Sequence, residues 1–172
     1  PNLNYLVAAE YIGQLNLNHP EFHSNLFFWQ QSSLSGSDMM VTFLHSSCPL
    51  NELVQAELNE HGMSAVATHH GATSLEPAPV FSGPRRSRQM DGWEPNPIYR
   101  GPESQWLKGQ ISEYSRLKDY WTALFEAHDI RVFVTYNKLD PGNCALGDAL
   151  ESLGGISVNY ERSHQTYPRL DL

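Results

Sequence analysis

Histidines, hydroxyls and side-chain amides gather at four places in this chain, and each place directly follows an apolar run. The first is His45-Ser46-Ser47-Cys48, after MMVTFL. A neutral imidazole at His45 can act as general base toward a sugar hydroxyl. Ser46 and Ser47 add hydroxyls and backbone amides suited to a phosphate or a sugar hydroxyl. Ser47 is equally a helix N-cap, the commoner role for serine in such a position. His69 closes the next run, SAVATHH, and would neighbour His45 if the two runs pair as parallel strands. After RVFVTY come Asn137, suited to a hydroxyl, and Lys138, which can balance phosphate charge or simply meet solvent in a turn. The last run ends in Glu161-Arg162-Ser163-His164, where Arg162 and His164 offer a cation and an imidazole. Strand ends are also polar merely because they meet water.

Several reactions lose support because their motifs are missing. There is no G-x-G-x-x-G after a strand and no G-x-x-x-x-G-K-[ST] loop, and so no visible basis for dinucleotide or P-loop chemistry. No G-x-S-x-G elbow supplies a hydrolase serine. Acidic pairs separated by one residue are absent. His69 and His70 are adjacent and would point to opposite faces of a strand, while His19 and His23 in HPEFH lack the H-E-x-x-H pattern. No metal site and no cofactor is therefore assigned. Arg85 to Arg88, RRSR, is a small basic cluster that either clamps a diphosphate or is solvated.

The elements that must position these residues follow from hydrophobic patterning. MMVTFLH, CPLNELVQAELNEHG and MSAVATHH read as strand, helix and strand, with Pro49 in the first helical turn, a stripe of Leu50, Leu53, Val54 and Leu58, and Gly62 as the stop. IRVFVTYN, DPGNCALGDALESLGG and GISVNYE repeat the unit, with Asp140 as N-cap, Pro141 first in the helix, and Gly154 and Gly155 ending it. Between them ESQWLKGQISEYSRLKDYWTALFEAHD is a long amphipathic helix whose buried side is marked by Trp106, Ile111, Tyr114, Leu117, Trp121, Leu124 and Phe125. LNYLVAAEYIGQL near the start reads as a helix and NLFFWQQ as a strand. Residues 71–103, rich in Pro and Gly, read as a long loop or insertion. The expectation is one α/β domain over 1–172, a Rossmann-like three-layer sandwich with a mainly parallel sheet built from β-α-β units, binding its ligand at the strands' carboxyl ends.

Composition agrees with a folded domain: 172 residues with 40% hydrophobic and 17% charged side chains can bury a single core. A net charge of -8 disfavours nucleic acid and anionic membrane surfaces as partners. No apolar run is long enough to span a bilayer and no secretory signal is visible, so a cytoplasmic location is expected, with Cys48 and Cys144 as reduced thiols. Beginning at Pro1 and ending in YPRLDL, the chain reads as a piece of a longer protein.

The stretch LKDYWTALFEAHDIRVFVTYNK followed by ALGDALESLGGISVNYERSH, from Leu117 to His164, resembles the N-terminal region of bacterial surface-polysaccharide biosynthesis proteins with a GT-B-like glycosyltransferase organisation. Its most distinctive part is Asp148 to Ser163, with Gly154-Gly155-Ile156-Ser157 and Arg162-Ser163. The resemblance implies the acceptor-side half of two facing Rossmann-like domains. A missing C-terminal domain would bind the nucleotide-activated donor, and this half would be inactive alone. It implies metal-independent glycosyl transfer, with a nucleotide-sugar and a carbohydrate acceptor as partners, but transfers no catalytic residue. The alternative is a non-catalytic α/β binding or protein-interaction domain, in which the Pro-rich loop and aromatics such as Trp93 and Tyr99 engage another protein.

Overall fold

The structure is a computed structural model, which describes residues 5–11, 26, 29, 32–44, 51–68, 102–135 and 141–159. Among the described residues, five strands run in chain order: β1 (Leu6–Glu10), β2 (Met39–Leu44), β3 (Ser64–Thr68), β4 (Ile130–Thr135) and β5 (Ile156–Asn159). Three α-helices lie, among the described residues, between successive strands from β2 onward: α1 (Glu52–Glu60), α2 (Pro102–Ala127) and α3 (Pro141–Ser152). The strands form one sheet, ordered β3-β2-β1-β4-β5, in which every pairing is parallel. The expected α/β, Rossmann-like fold is what the chain adopts.

Parallel sheets are covered on both faces, so their inner strands are apolar at successive positions rather than at alternate ones. β1 follows this rule: Val7 and Ala9 pack with Met39, Val41, Phe43 and Leu58 of α1 on one face. Ala8 packs with Met40, Phe133, α2 and α3 on the other. The α2 side holds a stacked and edge-on aromatic group of Trp121, Phe125 and Phe133, all with 1% exposure or less. Right-handed crossovers explain the layering. The steps outward from β1 to β3 put α1 on one face, and the return to β4 and β5, in the opposite sense, puts α2 and α3 on the other.

Local chemistry sets the ends. Asn51, with extended backbone, caps α1 by accepting the Val54 amide at 2.9 Å, and Gly62 leaves it at φ 71°. Gly154 ends α3 at φ 73°. Gly155 lies so close to β4 that a Cβ would stand 2.5 Å from the Arg131 carbonyl oxygen and 2.9 Å from Leu150 Cδ2. Before β2, Asp38 closes a 3-10 turn (Gly36–Asp38), accepting both the Ser35 hydroxyl and its amide. The Ser35 hydroxyl and then its amide hold the Asp38 carboxyl below its ordinary range.

Six expectations are corrected. Leu6–Glu10 is a strand, not a helix, because pairing with β2 and β4 and burial on both faces outweigh the helix propensity of Leu and Ala. At Trp29 the chain turns helically, its amide bonded to the Leu26 carbonyl and its own carbonyl to the Ser32 amide, so NLFFWQQ is not a strand there. Ser47 is not the cap of α1, which starts later at Asn51, and Leu53 is 83% exposed rather than part of the buried stripe. Trp106 is 66% exposed, because the first turns of α2 carry no buried residue. Residues 102 and 103 belong to α2 and not to the loop; 71–101 lie outside the described residues.

Candidate functional site

In a doubly wound sheet the strand order reverses at one point, and the two connections there leave in opposite directions, opening a crevice beyond the carboxyl ends of the strands. Here the reversal lies between β1 and β4. Glu10 is the last residue of β1 and Thr135 the last of β4. The register pairing Ala9 with Val134 sets them side by side, and the Thr135 hydroxyl donates to Glu10 Oε2 at 2.8 Å.

Alternation along each strand places more polar groups in the same row. Ala8 faces α2 and α3, so Glu10, two residues on, lies on that face. Glu10 pairs in register with Thr42, and Thr135 with Asn159. The final row on the α2 and α3 face therefore reads Thr42, Glu10, Thr135, Asn159, directly above an apolar row containing Met40, Ala8 and Phe133. Thr42 and Thr68 are each 1% exposed and donate to the Ala9 and Phe43 carbonyls of the neighbouring strand, at 3.4 and 3.1 Å. Thr135 is 2% exposed, and Glu10 is partly buried. Buried hydroxyls thus fasten the ends of the strands together, and a carboxylate sits at the reversal point with one oxygen held by a fixed donor.

A carboxylate at this position repels phosphate and accepts from hydroxyl, amide or ammonium groups. That is the opposite electrostatic demand from a dinucleotide pyrophosphate over a glycine-rich turn, and it agrees with the missing fingerprint.

On the same side of the sheet, α2 and α3 are joined near their exposed faces. The Tyr114 hydroxyl donates to Asp148 Oδ2, and Lys118 Nζ lies 3.7 Å from the same oxygen. Burial, and then the bond to Asp148, push the Tyr114 pKa well up. Cys144, one turn before Asp148, is a free, exposed thiol.

His45, Ser46 and Ser47 follow β2 in sequence, His69 follows β3, Asn137 and Lys138 follow β4, and Arg162 and His164 follow β5; all eight lie outside the described residues, as does Cys48. The strands that precede His45 and His69 do pair in parallel, with Leu44 opposite Thr68. Sequence reading missed Glu10 and Thr135. The available signal was an acidic residue closing the apolar run LVAA, which the helical reading of that segment concealed. Among the described residues no three His, Cys, Asp or Glu side chains group as metal ligands, and no helix is long and apolar enough to cross a membrane. Compared with protein-family models, with curated proteins and with solved structures, the chain matches none of them.

Proposed function

We propose that this chain is the acceptor-side half of a GT-B-type glycosyltransferase that serves cell-surface carbohydrate assembly in the cytoplasm, with Glu10 as the group that holds the acceptor. The observation that carries the proposal is the carboxylate at the β1/β4 reversal, fixed by the Thr135 hydroxyl. Sugar hydroxyls are the natural donors to such a carboxylate, and a carboxylate at the reversal suits a neutral acceptor better than the anionic donor nucleotide. The donor then falls to a second domain. In the transfer, the acceptor oxygen bonds to the anomeric carbon as the bond from that carbon to the nucleotide phosphate breaks. The hydroxyl proton passes to a base, for which His45 is the candidate. Asn137, Lys138, Arg162 and His164 are the candidates for further contacts.

The test is a calorimetric titration of the chain with neutral mono- and oligosaccharides and, separately, with nucleotide sugars. Saccharide binding that weakens in Glu10→Gln supports the proposal. A non-catalytic interaction domain is the second reading, favoured by the 66% exposure of Trp106. Binding to none of the ligands would turn the assignment to it.

A further inference from the structure

β5 closes one side of the sheet, and its outer edge pairs with no described strand. All four of its residues are exposed, Ile156 to 61% and Val158 to 41%. Strands of a parallel sheet are ordinarily covered on both faces. Ile156 and Val158 stand in register with Val132 and Val134, so they extend the α1 face of the sheet. The described helix on that face, α1, contacts β3 at the opposite edge. The two edges also differ in chemistry. The exposed residues of β3 are Ser64 and Ala67, one polar and one small, whereas β5 exposes two β-branched apolar side chains.

An open edge is a row of backbone N–H and C=O groups that takes up another strand, and proteins guard it with a lysine, a proline or a bulge. β5 has none of these, and from Leu153 to Tyr160 the sequence holds no charged residue. We infer that β5 is a self-association edge, where a second copy of the chain adds its own β5 antiparallel and the two sheets become one.

Register, charge and space all suit a second copy. A two-fold axis through Ser157, normal to the sheet, sets Ile156 of each copy directly opposite Val158 of the other on the same face. The two Ser157 hydroxyls meet on the α2 and α3 face, where Ser157 lies beside Phe133 in register. Cross-strand pairs of β-branched side chains and of hydroxyls are what stabilise such a pairing. The whole chain carries -8 and repels its own kind, so an uncharged edge is where repulsion is weakest. α3 packs on β4 and β5, with Gly147 against Ser157. Strands lie about 4.8 Å apart, so a helix above the β4/β5 groove comes within about 10 Å of its symmetry mate, the ordinary distance of packed helices.

Sedimentation of the full chain, from micromolar to near-millimolar concentration, tests the inference. The wild type forms a reversible dimer, and its β5 amides exchange more slowly with solvent as concentration rises. Ile156→Glu and Val158→Lys, both at exposed positions, keep the circular dichroism of the fold and each weaken the dimer at least about tenfold. An equimolar mixture of the two variants recovers it, because the carboxylate introduced at position 156 of one chain then stands opposite the ammonium introduced at 158 of the other. A wild type that stays monomeric, a dimer whose β5 amides gain no protection, or variants that do not complement one another in the mixture would each overturn the inference.

Discussion

Removing the Thr135 hydroxyl should weaken the chain chiefly through Glu10. The bond is 2.8 Å long, its donor is 2% exposed and its acceptor is a carboxylate. Hydrogen bonds to charged groups contribute about 1.5–3 kcal/mol where water is excluded. Glu10 is only partly buried, so water substitutes in part, and the net coupling expected is about 1 kcal/mol, below that range. Thr135→Val and Glu10→Met each remove one partner without supplying another, and the double variant removes both. Urea unfolding of the four proteins gives the coupling free energy directly. Each single change should destabilise, with the hydroxyl of Thr135 the costlier group to strand because it is the more buried. The double variant should be more stable than the sum of the singles by about 1 kcal/mol. Additivity to within about 0.3 kcal/mol would mean that the two side chains do not hold one another, and the fixed carboxylate would have no basis.

Gly36→Ala places a Cβ 1.6 Å from the His61 carbonyl oxygen, a backbone clash that no rotamer change relieves, and should cost at least about 3 kcal/mol in urea unfolding. Tyr114 keeps its proton more tightly folded than unfolded, so the unfolded chain loses protons first above its ordinary pKa of about 10, and stability falls as pH rises through that range. Tyr114→Phe should flatten this alkaline decline while lowering stability at neutral pH by about 0.5–1 kcal/mol, seen by thermal unfolding between neutral and strongly alkaline pH.

The parallel sheet was legible because its strands bear on two covered faces. MMVTFL and IRVFVT are short continuous apolar runs bounded by turn residues, and the helices between them carry visible stops at Gly62 and Gly154. β1 was not legible. LVAAE is only five residues, all but Val7 good helix formers, and its strand state comes from neighbours more than 25 and 100 residues away in the chain, Met39 to Thr42 and Ile130 to Val134. Missing β1 also hid the reversal point, since Glu10 acquires meaning only once β1 stands between β2 and β4. Trp106 misled for a different reason: the helical period continues through α2, but the core it should face ends at Leu117. Hydrophobic spacing reports the face of a helix and not how far its packing partner extends.

The account rests on Glu10 as a ligand group at the β1/β4 reversal. The most direct test is calorimetric titration of wild-type chain and Glu10→Gln with neutral saccharides, after confirming by circular dichroism that the variant is folded at the temperature of the titration. The account predicts binding by the wild type and a loss of affinity of about tenfold or more in the variant, the amount expected when a hydrogen bond to a charged acceptor is weakened. Saccharide binding that is the same in both proteins would contradict it.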